Sequence, residues 1–193
     1  MSDLSPTADA ILSHARSLIT AGGYNGFSYA DIASHVGIRK PSIHHHFPTK
    51  ADLVQVLVQR YRQEAREGLA ALERHVSDPQ AQLKSYVAYW ERCISDASAP
   101  ICICAMLASE LPLLPEGVAI EVKAHFRDLS AWLASVLERG LEQGIFSLNH
   151  TPKVEAEALM ATTHGAMLSA RAYGEVDIFG VVMRGALERF SAR

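Results

Sequence analysis

Between Ser28 and Lys50 the chain reads S-Y-A-D-I-A-S-H-V-G-I-R-K-P-S-I-H-H-H-F-P-T-K, and this stretch leaves room for little but two short helices and a tight turn. Ser28 with Asp31 three residues later is a capping-box pattern, which predicts a helix start. Ile32, Ala33 and Val36 then share one face at helical spacing. Gly37 follows at once, and glycine accepts the left-handed conformation that ends a helix and reverses the chain. Ile38 is the apolar residue of the turn. A second helix is predicted from about Lys40, with Pro41 in its first turn, where a missing N–H costs nothing.

At about 100° per residue the second helix has a definite inner side. With Ile43 inward, Phe47 falls beside it, Pro41 and His45 point away, and Ser42 and His44 flank them. Lys40 and His46 are expected nearer the buried side. The outward surface is small, polar and basic, which suits a groove floor and its phosphate walls. Thr49 and Asp52 form a second capping-box pattern. The first N–H groups of that third helix, with Lys50, are predicted to clamp a phosphate. Upstream, residues 9–22 carry Ile11, Ala15, Leu18 and Ile19 on one stripe, a helix that would back the pair. Two helices joined this way, the second exposed, have the layout of a unit that reads the DNA major groove.

Residues 10–61 resemble the DNA-binding domain of TetR-type transcriptional regulators. Members typically show G-[FY]-x-x-[ST], a short helix with I-A, then G-V-[ST]-x-[GP]-[ST]-[LIV]-Y-x-[HY]-F-x-[ST]-K-x-x-L. This chain has G-Y-N-G-F-S-Y-A-D-I-A and G-I-R-K-P-S-I-H-H-H-F-P-T-K-A-D-L-V, and it departs at His44 and His46, where tyrosines are more usual. The resemblance implies that Arg39, Lys40, Pro41, Ser42, His44 and His45 line the groove, while Ser28, Tyr29 and Lys50 hold the DNA backbone. It also implies an all-α fold of about nine helices. Residues 1–49 would be the helix-turn-helix head, with a connecting helix from about 50, and residues 50–193 the ligand-binding and dimerisation body.

Composition agrees. The chain is 49% hydrophobic with few aromatics, and no alternating β-branched run persists. Net charge is −3 with histidines neutral. Residues 1–60 hold five basic and four acidic side chains and five of the nine histidines. DNA binding must therefore come from placed contacts rather than bulk attraction. The N-terminus is polar and the longest apolar run, residues 99–108, is too short to span a bilayer, so a cytoplasmic protein without a membrane partner is expected. The three cysteines, Cys93, Cys102 and Cys104, show no repeated spacing and fit reduced thiols.

In the body, helices are predicted over residues 50–75, from Asp78-Pro79, over 99–110, over 116–143, from Thr151-Pro152 and from Val176-Asp177. The last pair offers small and apolar residues, among them Ala161, Gly165, Ala172, Val181 and Val182, on more surface than one neighbour needs. Two copies are expected to meet there as a homodimer, setting the reading helices about 34–36 Å apart on a palindromic operator in double-stranded DNA. The family implies a small-molecule effector. Candidate lining residues are Tyr86, Tyr89, Trp90, Cys93, Cys102, Met106, Phe126, Trp132, His164 and Met167.

The segment I-C-I-C-A-M-L-A-S-E resembles the G-C-L-x-x-x-L-[AS]-x-E of a TetR-type subgroup that includes electrophile and redox sensors, so a thiol-based repressor using Cys102 is the alternative. No Lys, Arg or His adjoins Cys102 in sequence, which favours a buried structural thiol. Cys102 and Cys104, two apart on a helix, are expected to diverge. Consecutive His44, His45 and His46 cannot readily converge on one ion, so no metal site and no cofactor is predicted. An enzyme is disfavoured: there is no glycine-rich phosphate loop, nucleophile elbow or H-E-x-x-H.

Overall fold

The computed structural model describes residues 5–97 and 99–191. Among them the chain forms nine α-helices: α1 (Pro6–Gly22), α2 (Tyr29–Val36), α3 (Lys40–His46), α4 (Lys50–His75), α5 (Pro79–Ser95), α6 (Ile103–Ser109), α7 (Glu116–Glu142), α8 (Pro152–Tyr173) and α9 (Asp177–Glu188). A short 3-10 turn (Leu111–Leu113) precedes α7, and the β-type pairing seen is an isolated bridge between Phe146 and Ser191. The all-α expectation holds.

The helices form two compact units. The first takes the described residues up to Glu64 together with Cys102–His125, and the second takes Ala65–Ile101 and the described residues from Phe126 onward. The first unit therefore holds more than residues 1–49: it adds the start of α4, all of α6 and the first part of α7.

In the first unit α1 packs on α2, α3 and α6. Its stripe of Ala8, Ile11, Leu12, Ala15 and Ile19 is buried, while Leu18, expected inside, is half-buried. The helix begins at Pro6, not Asp9, because Ser5 Oγ accepts the Ala8 N–H at 3.2 Å and Pro6 supplies the first-turn proline. Ile32, Ile43, Phe47, Leu53 and Val54 complete the apolar centre. α2 starts on the expected capping box: the Ser28 N–H donates to the Asp31 carboxylate at 2.7 Å, and Ser28 Oγ accepts the Ala30 N–H at 3.2 Å. The Ser28 hydroxyl, donating at 2.8 Å, and then the Ser28 N–H hold the Asp31 carboxyl below its ordinary range. Gly37 then takes φ 72° and ψ 31°, and its N–H closes on the Ala33 carbonyl at 3.0 Å.

In the second unit α9 packs on both α8 and α5. Leu83, Tyr86, Val87, Trp90, Leu133, Leu137, Leu159, Met167, Phe179 and Met183 are buried. Asp78, Thr151 and their following prolines cap α5 and α8 as the sequence indicates. Arg139 donates to Glu73 at 2.9 Å, Gln82 at 2.7 Å and Ser135 at 2.6 Å, tying α4, α5 and α7 within this unit.

A Cβ on Gly37 would meet nothing within 4 Å, so its substitution tests conformation alone. Gly37→Ala is expected to destabilise the chain by about 1–2 kcal/mol, the cost of an alanine held left-handed. Gly37→Asn should cost less. Urea unfolding followed by circular dichroism measures both, and equal stability of all three proteins would contradict the turn geometry.

Candidate nucleic-acid interface

The turn at Gly37 delivers α3 with one side fixed. Ile43 is fully buried and Phe47 nearly so, whereas Arg39, Lys40, Pro41, His44 and His45 are exposed and Ser42 is half-buried. Lys40 differs from its expected place near the core. It is the first residue of the helix and follows Arg39 in extended backbone, so its stem projects outward before the helical period takes hold.

Three contacts hold the ends of α3. The Tyr29 hydroxyl donates to the Phe47 carbonyl at 2.8 Å, locking α2 to the exit of α3. Burial first, and then the Asp52 charge, push its pKa up to about 12, so it remains a neutral donor. The Tyr29 ring meets the edge of His44 with centroids 4.8 Å apart. His44 Nδ1 lies 3.0 Å from the Pro48 carbonyl oxygen. A carbonyl can only accept, so Nδ1 carries hydrogen and Nε2 is the nitrogen left for an outside partner. Beyond the exit, Thr49 and Asp52 close the second capping box: the Thr49 N–H donates to Asp52 at 2.9 Å, and the Asp52 N–H donates to Thr49 Oγ1 at 3.1 Å.

Lys50 is occupied inside the unit. Its ammonium donates to the Phe27 carbonyl and sits 4.1 Å from the Phe27 ring centroid and 4.8 Å from that of Tyr24. Burial lowers its pKa, with Glu110 and Asp31 opposing that shift. Its visible role is to fix the loop between α1 and α2.

Sequence reading missed Glu110, which does the same work from the other side. Its carboxylate accepts the Tyr24 N–H at 2.8 Å, the Asn25 N–H at 3.4 Å and the Asn25 side-chain amide at 3.3 Å. The signal was present as the final glutamate of A-M-L-A-S-E, but nothing local shows what it reaches 85 residues away.

Comparison with known proteins settles the class. The profile described as "Bacterial regulatory proteins, tetR family" matches residues 11–57, and "Tetracyclin repressor-like, C-terminal domain" matches residues 79–186. A transcriptional regulator of the TetR family from Agrobacterium tumefaciens is 60% identical, with TM-score 0.95, over 96% of this chain and 98% of that one. The chain belongs to the TetR family. A TetR regulator from Legionella pneumophila is 26% identical with TM-score 0.87, over 98% and 100% of the two chains. The HTH-type transcriptional regulator CymR of Pseudomonas putida is 26% identical over 143 residues, 71% of this chain and 68% of that protein. This TetR-family chain is thus a DNA-binding transcriptional regulator, and its helix-turn-helix is α2 and α3.

The candidate effector residues separate. Cys102 and Met106 lie in the first unit and the other eight in the second. Tyr86 and Trp132 have ring centroids 5.6 Å apart, Tyr89 and Trp90 5.3 Å, and Phe126 and His164 5.1 Å. Tyr86, Trp90, Cys93, Trp132 and Met167 are buried, Phe126 and His164 are half-buried, and Tyr89 is 44% exposed. Two surface grooves of this unit, about 460 and 800 Å³, run along α5 and α9, and none of the ten residues lines them.

The cysteines correct two expectations. Cys102 precedes α6 in extended backbone, φ −62° and ψ 124°, so it and Cys104 do not follow helical divergence. Both thiols and the His125 ring come together, so Cys102 has a histidine neighbour that adjacency in sequence did not reveal.

If Glu110 anchors the loop before α2, Glu110→Ala takes the acceptor from the half-buried Tyr24 N–H and leaves the exposed Asn25 N–H to water, and should cost about 1–3 kcal/mol. Thermal unfolding is expected to shift down, and limited proteolysis should cut earlier near Tyr24 and Asn25. Glu110→Gln, which keeps one acceptor, should fall between. A loop no more easily cut in Glu110→Ala than in the parent would contradict this anchoring.

Proposed function

We propose that this TetR-family regulator is a homodimeric repressor of a palindromic operator in double-stranded DNA, released by a small-molecule effector. The observation that carries the reading is α3: five exposed groove-facing residues stand over a side anchored by Ile43 and Phe47. Arg39, Lys40, Pro41, Ser42, His44 and His45 read the groove. Ser28, the first N–H groups of α4 and the edge of Tyr29 face the phosphates. Lys50 contributes by fixing the loop that positions Ser28.

The dimer reading is supported by unspent apolar surface. On α8, Val154 and Leu168 are half exposed, with Ala161, Gly165 and Ala172 open beside them. On α9, Val181 and Val182 are 57% and 37% exposed, and Gly185 adds no side chain between them and a neighbour. Ala166, Ala186 and Phe190 face inward instead. An apolar surface of this kind on two packed helices suits a four-helix contact between copies.

The effector reading rests on the aromatic pairs of the second unit. Trp132 Nε1 is buried and makes no hydrogen bond among the described residues. An indole N–H in that condition costs free energy until an acceptor reaches it. An effector of modest size with one acceptor atom answers that need. Binding would favour a body conformation whose paired heads fit the operator poorly, and a coupling of about 1–3 kcal/mol changes affinity roughly 5–150-fold. Cys102, 1% exposed, lacks the access that an electrophile-sensing thiol requires.

Gel-shift with the DNA upstream of the protein's own coding region is expected to give a saturable complex containing two chains. Lys40→Ala should lower affinity and reduce the salt slope by about one. An unchanged slope would take Lys40 off the phosphates. Combining Leu168→Glu with Val181→Glu should yield a folded monomer by light scattering, with operator binding lost. A mutant that stays dimeric would place the contact elsewhere.

A further inference from the structure

We propose that Cys102, Cys104 and His125 form a binding site for one thiophilic metal ion, Zn(II). Two Sγ atoms and one imidazole nitrogen lie within 4.8 Å of one another, all three residues buried. Cys102 Sγ is 3.8 Å from His125 Nε2. With metal–sulfur near 2.3 Å and metal–nitrogen near 2.0 Å, ligands at 120° stand about 3.7 Å apart and tetrahedral ones about 3.5 Å. The pair is already spaced as co-ligands of a single ion.

The backbone explains why two cysteines so close in sequence converge. Cys102 is extended and Ile103 opens α6, so the chain turns between the two thiols. His125 comes from α7, and the three donors therefore join two elements of the first unit. Tyr61 on α4 adds an outer contact: its hydroxyl donates to Cys102 Sγ at 3.3 Å, and its ring lies 5.3 Å from that of His125. A donor to a ligating sulfur stabilises the thiolate and orients it, as outer partners of metal sites do. Burial keeps the Tyr61 hydroxyl protonated, and it likewise pushes the Cys104 thiol up.

Charge selects the ion. Each thiol loses its proton to solvent as its bond to the metal forms. Two thiolates and a neutral imidazole around a divalent ion give a site with no net charge, the form that costs least when buried. Sulfur and imidazole donors suit Zn(II), whereas Mg(II) and Ca(II) require oxygen. A cleft of about 220 Å³ opens beside Tyr61, and its carboxylates are already paired, Asp9 with Arg60 and Glu64 with both Arg60 and Arg16.

The test uses the full chain, reduced and stripped with a chelator under anaerobic conditions. Titration with Co(II), the spectroscopic stand-in for Zn(II), is expected to give a sulfur-to-cobalt charge-transfer band that saturates at one ion per chain and disappears when Zn(II) is added. Cys102→Ser and Cys104→Ser should each lose most of that band, and His125→Gln should move the visible ligand-field bands. Should a variant fail to fold, the parent protein decides alone. During brief exposure to denaturant, Zn(II) should slow alkylation of Cys102 and Cys104 and leave that of Cys93 unchanged. No charge-transfer band at equimolar Co(II), a band that survives in Cys104→Ser, or equal alkylation of all three cysteines with and without Zn(II) would overturn the site.

Discussion

One carboxylate holds the reading head to the helix behind it. Glu110, at the end of α6, accepts the Tyr24 and Asn25 N–H groups, and Lys50 presses its ammonium onto the Phe27 carbonyl two residues further along. Ser28, the first capping residue of the helix-turn-helix, comes next in the chain. A segment that must present Ser28 at a fixed angle cannot be left with unpaired donors, because buried or half-buried N–H groups seek water and pull the loop outward. Both groups hold this loop, and the Glu110 charge favours the charged form of Lys50.

α3 itself has seven residues, too few to persist alone. Its helicity is a tertiary product: Ile43 and Phe47 fill the core, Gly37 sets the entry angle, and Tyr29 and His44 close the exit through the carbonyls of Phe47 and Pro48. The histidine at position 44 replaces a more usual tyrosine without leaving the exit open. Its Nδ1 reaches Pro48 four residues on, and its ring still meets that of Tyr29. The substitution shortens the reach of the side chain and fixes which nitrogen faces outward.

What the sequence made legible was local. Helix starts at Ser28, Thr49, Asp78 and Thr151 could be read because a capping side chain bonds within three residues of itself. The same rule applies at Ser5, which caps α1. The buried stripe of α1 followed from period alone, yet Leu18 on its margin stayed half-buried because stripe width depends on the neighbours. Lys40 escapes the helical period because it only begins the helix. A phosphate clamp at Lys50 is a local expectation, while the carbonyl and rings that its ammonium meets belong to residues 24–27.

The thiols show the limit most clearly. Two cysteines at spacing two diverge only if both are helical, and the boundary of α6 falls between them. The helix expected from residue 99 starts four residues later, at Ile103, and at many positions such a shift would change little. Here it changes which atoms meet. With Cys102 extended, its sulfur turns back toward Cys104, and α7 brings His125 from 21 residues beyond Cys104 to within reach of both. The chemistry of this cluster thus depends on a backbone dihedral at one position and on the packing of a distant helix, neither of which composition or periodicity encodes. The DNA-reading head is the opposite case. Its side chains lie within 23 consecutive residues, their caps and turn are written beside them, and the spacing specifies the surface that α3 presents except at Lys40, where the helix begins.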